Sequence, residues 1–135
     1  RTPYQASVAQ RRFHILVVDD QPDMLALIVR ALEDDQYQVR QASSGAEALR
    51  MIDESLPDLL VLDYKMSGMD GMAVMKVLRG RHETRDLPVL MLTAMNDEPS
   101  TRAGFDAGVS DYVTKPFSIP QLTARVRACL ARTTR

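Results

Sequence analysis

Tryptophan is absent, and the 135 residues hold a single cysteine, Cys129, and two histidines, His14 and His82. One thiol rules out an internal disulfide, and so few imidazole and thiol groups rule out a zinc site of the usual ligand spacing. No apolar run approaches the roughly 20 residues that cross a bilayer, and no signal-peptide core is present. Charge of one sign is missing too. The 17 basic and 18 acidic residues leave a net charge of -1, which gives no bulk attraction for nucleic acid or a membrane surface. A cytoplasmic chain is expected, with neither direct nucleic-acid binding nor membrane association. The length suits one domain with a proper core and is too short for two. The chain begins at Arg1 rather than methionine, so a piece of a longer protein or a processed one is expected.

What is present is regular alternation. His14 to Val18 reads as a central strand, and Pro22 then suits a first helical turn. Leu25, Ile28, Val29 and Leu32 recur on one face of that helix. Tyr37 to Ala42 reads as a less buried strand. Ser44-Gly45-Ala46-Glu47 has the pattern of a capping box before a second helix carrying Ala48, Leu49 and Ile52. After Pro57, Asp58 to Leu62 is the third strand, and Val74, Met75 and Leu78 mark a helix starting near Asp70. Val89 to Thr93 is the fourth strand. Residues 98–107 form a weak helix whose one large apolar side chain is Phe105, stopped by Gly108. Asp111 to Thr114 is a short fifth strand, and Ser118-Ile119-Pro120-Gln121 caps a last helix with Leu122, Val126, Cys129 and Leu130 on one face. Five strands alternating with five helices predict an α/β fold: a five-stranded parallel sheet, doubly wound and flavodoxin-like (βα)5, with strand order 2-1-3-4-5.

Polar residues gather where these strands end. Asp19-Asp20 follows the first strand, Asp63 the third, Thr93 the fourth and Lys115 the fifth. In an open parallel sheet those ends share the ligand-binding edge. Each aspartate alone could be a solvated loop residue, but three at one edge would repel unless a cation sat among them. Oxygen ligands without histidine or cysteine favour a hard ion, Mg2+ before Mn2+. With a lysine charge and a threonine hydroxyl added, these are the parts of phosphoryl transfer to a carboxylate. Asp63, alone at its strand end, is the candidate nucleophile, and Asp19 and Asp20 the metal-holding pair.

The segments Val17-Val18-Asp19-Asp20, Leu62-Asp63 with Met66-Ser67-Gly68-Met69-Asp70-Gly71, Leu92-Thr93-Ala94 and Asp111-Tyr112-Val113-Thr114-Lys115-Pro116-Phe117 resemble the signature of response-regulator receiver domains. These are the CheY-like domains of two-component signalling. The resemblance spans about His14 to Arg132, which makes 13–132 the receiver domain, 1–12 an N-terminal arm or linker and 133–135 a C-terminal tail. It implies that Asp63 is phosphorylated by a histidine kinase or a histidine phosphotransfer domain, and that the domain is not itself an enzyme. By the same resemblance Asp19, Asp20, Asp63 and the backbone carbonyl of Lys65 bind Mg2+, with Asp19 assisting through water. Thr93, Ala94 and Lys115 contact the phosphoryl group, and Thr93 with Tyr112 forms the switch. Pro116 follows a cis peptide bond. Lys65 and Met95, two positions past Asp63 and Thr93, flank the path of the hydrolytic water and tune phosphoryl lifetime. Ser67 stands where the family usually has proline, which is expected to loosen the loop without touching the chemistry.

Output is expected at the face formed by the weak helix 98–107, the fifth strand and the last helix, read by a partner or by a second copy in a homodimer. A fused or separate output domain is equally compatible. The chain could be a stand-alone regulator, the receiver of a transcription factor or cyclase, or the receiver of a hybrid kinase. Tyr112 also reads as an ordinary strand aromatic, and Met66, Met69 and Met72 as packing residues. Cys129 reads as a small core residue, His14 as structural, and Arg125, Arg127 and Arg132 as a solvated helix face. The alternatives are an unphosphorylated scaffold receiver and a phosphatase of the haloacid-dehalogenase type. The latter would need an acidic residue where Lys65 stands. A nucleotide-binding module lacks its glycine-rich signature after the first strand.

Overall fold

The computed structural model describes residues 13–94 and 108–133. In chain order these hold β1 (His14–Val18), α1 (Pro22–Asp34), β2 (Gln38–Ala42), α2 (Gly45–Glu54), β3 (Leu59–Asp63), α3 (Gly71–Gly80), a 3-10 turn at His82–Thr84, β4 (Val89–Ala94), β5 (Asp111–Lys115) and α4 (Ile119–Thr133). The arm 1–12, Met95, the helix expected at 98–107 and the last two residues lie outside the described residues.

All strand pairs are parallel and the order is β2-β1-β3-β4-β5, as the alternation predicts. Parallel strands joined by crossover helices are covered on both faces, so their side chains divide between two cores. Leu16, Val18, Leu60, Leu62, Val89 and Met91 pack with Ala48, Ile52, Val74, Met75 and Leu78 of α2 and α3. Ile15, Val17, Leu59, Val61, Leu90, Leu92 and Val113 pack with α1 and α4 through Leu25, Ile28, Leu32, Leu122, Val126, Cys129 and Leu130. Cys129 is a buried core residue. Among the described residues no helix is long and apolar enough to cross a membrane.

Strand bounds differ from those expected by one residue at the start of β2 (Gln38, not Tyr37), at both ends of β3, and at the ends of β4 (Ala94) and β5 (Lys115). Asp58 stays outside the strand because its carboxylate accepts from the backbone N–H of His14 at 2.7 Å, while Asp63 is inside it. The capping box at α2 is shifted. The Ser44 hydroxyl accepts from Glu47 N at 3.1 Å, but the Glu47 carboxylate reaches past Ser44 to the N–H of Ser43 at 2.7 Å. At α4 the reciprocal pair forms, Gln121 N to Ser118 Oγ at 3.1 Å and Ser118 N to Gln121 Oε1 at 3.4 Å.

Cationic side chains fasten the polar parts of the frame. Arg40, on the least buried strand, donates to His14 Nε2 at 2.6 Å and to the Ser55 carbonyl at 2.6 Å. That makes His14 structural, and burial together with Arg40 holds its pKa below the usual imidazole value. Arg125 and Arg127, expected to be merely solvated, pair with Asp111 at 3.0 Å and Asp35 at 2.9 Å. Both arginines are half exposed, so these pairs add little stability.

Candidate functional site

The sheet delivers its carboxylates through local rules. β1 runs out of apolar residues at Val18, and Asp19 N still donates to the Ala42 carbonyl at 3.2 Å, so Asp19 is held directly past the last ladder pair, Val18 opposite Ala42. Its side chain then turns back, Oδ1 accepting from Gln21 N at 2.9 Å. This i to i+2 bond is the turn that aspartate favours. β3 carries Asp63 as its final residue, registered opposite Leu92 of β4. The next residue, Tyr64, donates its N–H to the Leu92 carbonyl at 2.8 Å and accepts from Gly71 N at 2.8 Å. The loop from Tyr64 to Gly71 is thereby closed at its base. Gly68 supplies the left-handed turn within it, with φ of 75°, and Asp70 caps α3 by accepting from Ala73 N at 2.9 Å.

These placements bring Asp19, Asp20 and Asp63 together, with one oxygen from each within 4.8 Å of the others. Asp19 and Asp63 are buried and Asp20 is half-buried. β5 adds Lys115, whose Nζ donates to Asp63 Oδ1 at 3.0 Å and lies 3.5 Å from Asp19 Oδ2. The Lys115–Pro116 peptide bond is cis. Burial raises the Asp63 pKa to about 6; the hydrogen bond and charge of Lys115 oppose that rise, and the charges of Asp19 and Asp20 add to it. One lysine does not balance three carboxylates. A set of oxygen donors this close and this acidic fits a hard divalent cation. An open cleft of about 420 Å3, lined by Asp20, Tyr64, Lys65, Ser67 and Asp70, adjoins the group.

Thr93 sits near the C-terminal end of β4, registered opposite Thr114, with Ala94 opposite Lys115. Its hydroxyl is buried and, among the described residues, has no hydrogen-bond partner. A buried hydroxyl without a partner costs free energy unless a ligand completes it, and an acceptor-rich phosphoryl group would do so. Ala94 is exposed and presents only a methyl group there. Tyr112 is half-buried against the core on the α2 and α3 side. Met66 and Met69 pack into the same core, while Met95 lies outside the described residues.

Two contributors escaped the sequence reading. Ser67 contacts the acidic group: its backbone N–H, which a proline would lack, donates to Asp20 Oδ2 at 2.9 Å. Only the residue type at that position could have hinted at this. Gly71 lies against the end of β3, and a Cβ there would meet the Asp63 carbonyl oxygen at 2.9 Å, Met91 Sδ at 3.0 Å and Tyr64 Cα at 3.0 Å.

Comparison with known proteins agrees with this fold. Residues 15–127 match the family model described as response regulator receiver domain. The chain is 42% identical over 121 residues to the DNA-binding dual master transcriptional regulator RpaA of Synechocystis, covering 90% of this chain and 50% of that protein. It is 46% identical over 119 residues to the response regulator MprA of Mycobacterium tuberculosis, covering 88% and 51%. The chain thus spans about half the length of these curated relatives. Among solved structures, the signal receiver domain of a signal transduction histidine kinase from Syntrophus aciditrophicus superposes with a TM-score of 0.84 at 32% identity, covering 91% and 93% of the two chains.

Proposed function

The chain belongs to the family of response regulator receiver domains of two-component systems, and from that premise we propose that Asp63 is its phosphoacceptor. The observation that carries this reading is the convergence on one buried carboxylate of a lysine at 3.0 Å and two further aspartates, with a buried threonine hydroxyl at the end of the adjacent strand that has no partner among the described residues. The Asp63 carboxylate forms a new O–P bond as the N–P bond to the imidazole of a phosphorylated histidine kinase or phosphotransfer domain breaks. The imidazole nitrogen leaves and takes a proton from water. Asp19, Asp20 and Asp63, with the Lys65 carbonyl, would hold Mg2+ or Mn2+, which when bound neutralises phosphoryl oxygens. Lys115 supplies a fixed positive charge beside the acceptor oxygen, and Thr93 donates its hydroxyl to the incoming group. Ala94 leaves space for it. The domain accepts a group and does not turn over, so it acts as a switch rather than an enzyme.

The acyl phosphate adds about one negative charge and new acceptor oxygens. Thr93 is drawn toward it, vacating space that Tyr112 can enter, and the edge strand β5 with α4 carries the change to a partner, a second copy or an output domain. Output through DNA, as in the relative named for DNA binding, would come from a domain other than this one. Incubation with acetyl phosphate and Mg2+ tests the reading. Intact mass should rise by one phosphoryl group, and the rise should vanish in Asp63→Asn or when the cation is chelated. Hydrogen exchange on the same samples should change in β5. An unmodified mass with both acetyl phosphate and a phosphohistidine donor would make the chain a scaffold instead. We further infer that Lys65, exposed in the cleft beside the acceptor, shields the acyl phosphate from water. Lys65→Ala should shorten its half-life severalfold, and an unaltered half-life would remove Lys65 from that role.

A further inference from the structure

The three carboxylates are not held alike. Asp19 is pinned from two sides, by Gln21 N at 2.9 Å and Lys115 Nζ at 3.5 Å, and Asp63 is pinned by Lys115 at 3.0 Å. Asp20 is the most exposed of the three. Among the described residues its carboxylate accepts one hydrogen bond, from the backbone N–H of Ser67 at 2.9 Å, across 47 positions of the chain. Two neighbouring negative charges and open solvent both favour its swinging outward. Rotation about χ1 of a half-exposed aspartate costs little. The amide opposes that motion, and its own position is firm, because the loop is closed by Gly71 N on the Tyr64 carbonyl and turned by Gly68.

We propose that the Ser67 backbone N–H is the tether that keeps Asp20 within the cation-binding group, which makes Ser67 a positioning residue for the divalent ion. The tether rests on the cation reading of the site given above and adds to it the element that sets affinity. It engages Asp20 Oδ2 and leaves Oδ1 without a donor among the described residues, free to face a cation. The loop between β3 and α3 is coupled to cation occupancy through this bond, in addition to the Lys65 carbonyl. The serine hydroxyl takes no part, so the residue type matters only in providing an N–H.

That distinction gives the experiment. Mn2+ binding to the full chain, counted by the electron paramagnetic resonance of free Mn2+ without any phosphodonor, should be unchanged in Ser67→Ala. In Ser67→Pro it should weaken about three- to tenfold, the scale of one net hydrogen bond. Equal affinity in Ser67→Pro, or equal losses in both variants, would overturn the tether while leaving the cation site standing. No Mn2+ binding by the unsubstituted chain would overturn the cation reading and the tether together. Amide exchange in the metal-free protein decides the matter even if Ser67→Pro does not fold. The Ser67 amide should exchange several times faster in Asp20→Ala, while the Gln21 amide, held by Asp19, should not. An unaltered Ser67 amide would overturn the proposal.

Discussion

In metal-free buffer at pH 8, Asp63→Asn should be more stable than the unsubstituted protein by roughly 2–3 kcal/mol. The Asp63 carboxylate is buried, and burial raises its pKa from 3.8 to about 6 despite the lysine. A carboxyl group that holds its proton more tightly in the folded than in the unfolded chain stabilises the fold while protonated. That contribution is complete below pH 3.8 and is lost as pH rises through 6. Above pH 6 the folded state therefore carries an ionised, poorly hydrated Asp63, which asparagine removes. Urea midpoints should show a gap between the two proteins at pH 8 that narrows below pH 6 and closes near pH 4. Mg2+ should narrow it at pH 8 as well, because the ion binds the folded aspartate form and stabilises it by linkage. A gap that ignored pH would mean that Asp63 is not the destabilising charge. In the proposed phosphoacceptor role the same ionisation would govern reactivity, since only the carboxylate can attack phosphorus.

Gly71→Ala should cost about 1–3 kcal/mol and slow phosphorylation of Asp63 by acetyl phosphate. Alanine is the better helix former by up to about 1 kcal/mol in a helix interior, yet position 71 opens α3, where that gain is small. The added methyl would press on the Asp63 carbonyl oxygen, Tyr64 Cα and Met91 Sδ, all within 3.0 Å of it. The sulfur can give way. The two backbone atoms cannot, because Tyr64 is hydrogen-bonded on both sides, to Leu92 and Gly71. Relief must come from shifting the end of β3, which moves Asp63, the proposed phosphoacceptor. Gly80→Ala is the control: a Cβ there meets nothing within 4 Å, so stability should hold or rise. Equal urea midpoints for Gly71→Ala and the unsubstituted protein would show that the strand end yields more easily than this.

The sheet order and the convergence of Asp19, Asp20, Asp63, Thr93 and Lys115 were legible in the sequence for one reason. Apolar runs of four or five residues, each ended by a polar one, encode both the strand and its exit, and parallel topology puts all exits on one edge. What was not legible depends on backbone atoms. The Ser67 amide reaches Asp20 only through the shape of a loop, and no side-chain pattern records where an N–H points. Glu47 likewise carries the letter of a capping box but chose Ser43 N over Ser44 N, a choice made by loop geometry. The tight seat of Gly71 follows from how closely α3 approaches β3. His14 has no local partner in sequence because Arg40 comes to it from the neighbouring strand.

Strand β3 is bounded by an aspartate at either end, Asp58 just before it and Asp63 as its last residue. Leu59, Leu60, Val61 and Leu62 alternate between two cores that are both fully apolar. A slip of β3 by one residue would exchange these side chains between the cores and still leave every one of them in an oily layer. Hydrophobicity alone thus tells this strand neither where to begin nor where to stop. Its polar ends do. Sliding one way would draw Asp63 between the layers, and sliding the other would draw in Asp58, which is committed to the N–H of His14. The two aspartates act as bookends, so the proposed phosphoacceptor also marks the alignment of the central strand.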